Sequence, residues 1–75
     1  MNIEKYTQNA QAAIVEGQRI AIENGNPSLE PEHINLALLQ QSDGLIPRLL
    51  KYMEIDAKSV ERAVSELVDK LPKVS

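Results

Sequence analysis

The sequence contains no cysteine, tryptophan or phenylalanine, and its only aromatic residues are Tyr6 and Tyr52. Without cysteine, a disulfide framework and a thiolate metal site are both excluded. Without large aromatics, the core has to be aliphatic. Cations are in the minority: 8 Lys and Arg stand against 11 Asp and Glu, for a formal net charge of −3. Six of the cations, Arg48, Lys51, Lys58, Arg62, Lys70 and Lys73, are interleaved with acids. They read as a solvated surface and not as a phosphate-binding patch, so no nucleic-acid partner is expected. No apolar run approaches the roughly 20 residues needed to span a bilayer. The opening Met-Asn-Ile-Glu-Lys-Tyr has no apolar signal core. A cytoplasmic location without membrane contact is the expectation. The three glycines, Gly17, Gly25 and Gly44, are scattered, and none opens a phosphate-cradling loop. No cofactor is expected in this segment.

What is present fits one small folded unit. The 75 residues are 43% hydrophobic and 25% charged, which suits a single globular domain and not a disordered chain. No segment alternates apolar and polar residues as a half-buried strand does, and helical spacing recurs throughout. The expected fold class is all-α, with four helices at about 7–24, 31–41, 45–53 and 57–71.

The most informative stretch is Leu29-Glu-Pro-Glu-His-Ile-Asn-Leu-Ala-Leu-Leu39. Pro31 suits a first helical position, where its missing N–H would have no partner, and that makes Glu30 the cap. Leu29 and Ile34 have the spacing of a hydrophobic staple. Ile34, Ala37 and Leu38 share one face, which Leu36 and Leu39 widen. In the first helix, Thr7 is the expected N-cap. Its apolar row is Ala10, Ala13, Ile14, Gly17, Ile20 and Ala21, with Ala12, Val15 and Ile22 beside it. So wide a stripe predicts contact with more than one neighbour. Gly17 is either a tolerated defect costing about 1 kcal/mol or a point of close backbone approach. Asn24-Gly25-Asn26-Pro27 ends that helix, with Gly25 as a left-handed cap. Ser42-Asp43-Gly44 ends the second. The third carries Ile46, Leu49, Leu50 and Met53. Asp56 caps the fourth, whose stripe is Val60, Ala63, Val64, Leu67 and Leu71, and Pro72 stops it.

Chemistry is harder to find. His33 is the only histidine, and Glu30 and Glu32 are the only carboxylates near it in sequence. That is too few ligands for a metal site, so no metal is expected. The preferred reading of His33 is an imidazole packed and hydrogen-bonded at a helix start. A chain of this size has little material for a nucleophile, a base and a substrate pocket together, so no catalytic residue is assigned. An acyl-carrier role needs an Asp-Ser pair at a helix start, and Ser28, Ser42 and Ser59 all lack the Asp. A small carrier or metal-binding helical protein remains the distant alternative.

Three runs carry a resemblance: Tyr6-Thr7-Gln8-Asn9-Ala10-Gln11-Ala12-Ala13-Ile14, Leu29-Glu30-Pro31-Glu32-His33-Ile34 with Leu36 to Leu39, and Ile55-Asp56. Their order and spacing resemble the Clp N-terminal repeat that opens the Hsp100 AAA+ chaperones, most of all in ClpB-type members. The likeness runs from Met1 to Pro72, with Glu30, Pro31, His33 and Asp56 as its structural signature. It implies a compact four-helix repeat, half of a double Clp N domain arranged about a pseudo-twofold axis. It also implies a non-catalytic module that binds unfolded or aggregated polypeptides, or adaptor proteins, for an ATP-driven chaperone ring, a hexamer. ATP and magnesium would then belong to modules downstream. The alternative within the family is a ClpA- or ClpC-type unfoldase that docks adaptors and feeds a protease. By resemblance, Thr7 lies at the substrate-contact surface, with Tyr6 and Ala10 as its neighbours. Two departures carry consequences. Glu54 stands where the family often has glycine, so the third helix is expected to end less sharply. Only one repeat is present, so residues 1–75 should leave bare a face that includes part of the first helix. A second copy could cover that face, as a homodimer.

Overall fold

The computed structural model describes residues 3–41 and 44–74, apart from the side chain of Tyr6. It contains four helices: α1 (Ile3–Glu23), α2 (Pro31–Gln40), α3 (Leu45–Tyr52) and α4 (Ala57–Asp69). No strand occurs among the described residues. The expected break at Ser42-Asp43 lies outside them.

The fold is organised around α2. It packs against α1, α3 and α4, and α3 and α4 also touch; among the described residues α1 approaches α2 closely along its backbone and reaches α4 only through side chains of the core. The Cα envelope measures 43 × 27 × 14 Å. A thickness of 14 Å corresponds to two layers of helices. The core cluster is Ala13 and Ile20 of α1, Leu36 and Ala37 of α2, and Val68 of α4, with Leu38 and Val64 packed against it. Small residues on α1 let the two helices come close. A Cβ built on Gly17 would stand 3.3 Å from Leu29 Cδ1 and 3.4 Å from the carbonyl group of His33. Gly17 is therefore the close-approach point and not a mere defect. Gln41 adds a polar tie, its side-chain amide donating to the Asn9 carbonyl at 2.8 Å.

Several expectations need correction. Helix α1 begins at Ile3, so Thr7 is not its N-cap. Residues 3–6 are compatible with helix, and Glu4 in the first turn complements the helix dipole. Thr7 instead donates from Oγ1 to the Ile3 carbonyl at 3.0 Å, a back-bond within the helix. The buried part of the α1 stripe meets α2 and, at the core, Val68 of α4, but the stripe is not covered across its full width. Ala13, Gly17, Ile20 and Ala21 are buried, whereas Ala10, Ala12, Ile14, Val15 and Ile22 are exposed. On α4 the buried residue is Val68, one place past the anticipated Leu67, and Ala63 faces solvent. That helix ends at Asp69, not Leu71. Its last turn is tightened by bonds from Lys70 N to Leu67 O (3.2 Å) and from Leu71 N to Val68 O (3.1 Å).

The helix ends are otherwise as the residue types dictate. Asp56 caps α4: Oδ1 accepts from the Lys58 N–H at 3.1 Å and Oδ2 from the Ser59 hydroxyl at 2.9 Å. Gly25, at φ +72°, closes α1. Its N–H donates to Ile22 O (3.1 Å) and that of Asn26 to Ala21 O (2.9 Å), the two bonds of a Schellman motif. The third helix closes the same way, against expectation. Glu54 N donates to Lys51 O (3.0 Å) and Ile55 N to Leu50 O (2.8 Å). Glu54 itself takes the left-handed role at φ +60°. The absence of glycine there has not blunted the helix end; the strain sits in the backbone of Glu54 instead.

Three measurements follow from these ends and contacts. Glu54→Gly relieves the left-handed strain and should raise unfolding stability by about 1 kcal/mol, read as a higher urea midpoint at unchanged slope. Gly17→Val places a branched side chain against Leu29 and the His33 backbone, and should cost about 1–3 kcal/mol in the same assay. The Asp56 carboxyl is held below its ordinary range, first by the Ser59 hydroxyl and then by the Lys58 N–H. A depressed folded value stabilises the fold above the ordinary aspartate range, and that gain is lost as pH falls through the folded value. Asp56→Asn keeps a capping oxygen but no charge. It should therefore be less stable than wild type at neutral pH and indistinguishable from it in strong acid.

Candidate functional site

A buried polar junction fixes the end of α1, the start of α2 and the end of α4 relative to one another. At its centre is His33, which is 0% exposed. Glu30 N donates to His33 Nδ1 at 2.9 Å, so that nitrogen carries no proton. This is the return half of a capping box, made by histidine in place of glutamate. The proton resides on Nε2, which faces Asn26 Oδ1 at 2.8 Å. Asn26 is 8% exposed and passes the connection on. Its Nδ2 donates to Pro72 O at 2.9 Å, and its Oδ1 also accepts from Asn24 Nδ2 at 3.0 Å. Asn24 Nδ2 in turn reaches Val68 O at 3.1 Å, and Val74 N donates to Gly25 O at 2.7 Å. The junction is fully satisfied: no buried side-chain nitrogen or oxygen among the described residues lacks a partner.

This arrangement positions and does not react. Both nitrogens of His33 are engaged by the protein and sealed from solvent, so the ring offers neither a free base nor a free metal lone pair. The Glu30 carboxylate accepts from the Ser28 hydroxyl at 2.7 Å. No three His, Asp or Glu side chains converge as metal ligands among the described residues.

The surface that the junction supports is α1, whose circumference divides into three sectors. One, carrying Ala13, Gly17, Ile20 and Ala21, is buried. The second is ionic. Arg19 pairs with both Glu16 and Glu23, the latter at 2.6 Å. Hydrogen bonding to Arg19 holds the Glu16 carboxyl below its usual range, and the two glutamates push the guanidinium up. The third sector carries Thr7, Gln11, Ile14, Val15, Gln18 and Ile22 and is exposed along its length. Val15 is 65% and Ile22 77% exposed. From Thr7 to Ile22 this sector contains no charged residue. Its side chains are aliphatic, or are amides and a hydroxyl that can both donate and accept hydrogen bonds. A shallow cleft of about 330 Å³ at its C-terminal end is lined by Gln18, Ala21, Ile22, Pro27 and Leu29, among others.

The residues singled out in sequence therefore fall in two places. Thr7 and Ala10 are exposed on α1, and Tyr6 stands beside them in the chain. Glu30, Pro31 and His33 form the start of α2, and Asp56 caps α4 away from that junction. Asn24 and Asn26 went unnoticed except as helix breakers. The Asn-Gly-Asn-Pro run was the only signal, because the carbonyls that the two side-chain amides reach, Val68 O and Pro72 O, lie more than 40 positions later in the chain.

The sequence profile of the Clp repeat (R) N-terminal domain matches residues 5–75. Chaperone protein ClpB of Clostridium tetani is 39% identical over 74 residues, 99% of this chain and 9% of that protein. Chaperone protein ClpB of Nitratidesulfovibrio vulgaris is 37% identical over 75 residues, 100% of this chain and 9% of that protein. Chaperone protein ClpB of Vibrio cholerae is 33% identical over the same length. The chain thus spans under a tenth of the curated relatives it matches. With four helices hung on α2, a profile match over nearly every residue and relatives similar along its whole length, the chain belongs to the Clp repeat N-terminal domain family.

Proposed function

We propose that the chain is the N-terminal client-binding module of a ClpB-type protein disaggregase, acting in the cytoplasm. It takes unfolded or aggregated polypeptides and passes them to a hexameric ring whose ATPase modules lie elsewhere in the protein. The observation that carries this reading is the uncharged, exposed sector of α1 from Thr7 to Ile22. An unfolded segment presents apolar side chains together with unpaired backbone N–H and C=O groups. Val15 and Ile22 suit the former, and Gln11 and Gln18 can bond the latter. The absence of charge fits a module that must accept many sequences, since a fixed charge would reject part of them. The ClpB names of the relatives favour this over an adaptor-docking ClpA- or ClpC-type role. The same sector could be covered by a second copy of the chain, and self-association would then compete with clients.

The test is a titration of the ¹⁵N-labelled chain with a permanently unfolded protein such as casein. Amide shifts should concentrate on residues 7–22. Val15→Glu should weaken the interaction by about tenfold, roughly 1.4 kcal/mol, without changing the fold. Shifts that avoid α1 altogether would sink the assignment.

A further inference from the structure

A second exposed apolar surface lies on α3, and it differs from α1 in charge. Helix α3 has no buried residue. Ile46 and Leu50 are half-buried and line a cleft of about 240 Å³ between α2, α3 and α4. Leu45, Leu49, Tyr52 and Met53 are all exposed, Tyr52 to 90%. They stand at i, i+4, i+7 and i+8, the spacing by which one helix packs along another. Arg48 borders this row and Lys51 stands beyond it on the same side; both are exposed, and neither enters an ion pair with a described residue, whereas Arg19 on α1 is paired twice. The sequence of α3, Leu-Ile-Pro-Arg-Leu-Leu-Lys-Tyr, contains no acid. Glu54 and Asp56 follow it, and Asp56 is occupied as the cap of α4. Tyr, Met and Arg are also residue types enriched where proteins meet.

We propose that the α3 face, Leu45, Leu49, Tyr52 and Met53 with Arg48 and Lys51, docks an acidic amphipathic helix of a partner protein. The apolar row supplies area, and the two cations select carboxylates at its edge. The eight residues of α3 extend about 12 Å, so the contact covers about two turns of the partner. An anionic bilayer fits less well. It would meet the whole chain, whose net charge is −3, whereas a single helix meets α3 alone. The proposal does not rest on client binding by α1, and the two surfaces are read separately.

Two synthetic helical peptides of identical apolar pattern, one flanked by glutamates and one by lysines, test it against the ¹⁵N-labelled chain. The acidic peptide should shift the amides of residues 45–54, leave residues 7–22 unmoved, and lose affinity in high salt. In the doubly reversed variant Arg48→Glu/Lys51→Glu, the acidic peptide should bind about tenfold more weakly and the lysine peptide should gain. Both positions are exposed, and unchanged α2 and α4 amides in the variant would show the fold intact. Equal binding of the two peptides, no shift on α3, or α3 shifts with phosphatidylserine vesicles and not with the acidic peptide would each overturn the proposal.

Discussion

The contact on which this small fold depends is the hydrogen bond between the His33 ring and the Asn26 side chain. A unit with a handful of small aliphatic core residues cannot rely on buried area alone to set its geometry. The ring meets that need by reaching two ways at once, to the backbone that opens α2 and to the turn that closes α1. Asn26 and Asn24 extend the connection to the carbonyls at the end of α4. The end of α1, the start of α2 and the end of α4 are thereby held in register. Each bond lies in a site of low polarity, where a paired group is strengthened and an unpaired one is costly. That is why a histidine can be fully enclosed here without any chemical duty.

The helix count and most of the ends were legible in the residues. Pro31, Gly25 and Asp56 act through local backbone geometry, and local geometry is written in local sequence. Membership of the Clp family was legible too, from the order of the same punctuating residues. What local sequence hid was the partner of each apolar row. Val15 and Ile22 have the same periodicity as Ala13 and Ile20, and only the placement of α2 decides which pair is buried. Val68 was missed for the same reason, since one helical position separates it from Leu67. Thr7 misled because its side chain serves equally well as a cap or as a back-bond, and Ile-Glu-Lys-Tyr before it is simply helical. The reach of Asn24 and Asn26 to the end of α4 depends on carbonyls far along the chain, which no window of sequence contains.

A single hub with three satellites has a further effect on how surface is distributed. A closed bundle would give every helix two neighbours and use most of its apolar stripe. Here α1 packs closely on one helix only and α3 is only half seated, so aliphatic side chains remain available on two separate helices. The two surfaces are not equivalent. That on α1 is neutral and flanked by a self-satisfied ion-pair cluster; that on α3 is bordered by cations that pair with no described residue. A thin slab can thus present different recognition chemistry on different helices while keeping one core.

The bond from Val74 to Gly25, with those from Asn26 to Pro72 and Asn24 to Val68, also bears on mechanics. The three are spaced along the chain after the middle of the last helix. A pull on the C-terminal end reaches them in sequence: Val74 first, then Pro72, then Val68. Bonds loaded one after another part at lower force than bonds loaded together. The segment after α4 is therefore tied to the α1–α2 turn by bonds at Val74 and Pro72 that are loaded before the one at Val68, inside α4 itself.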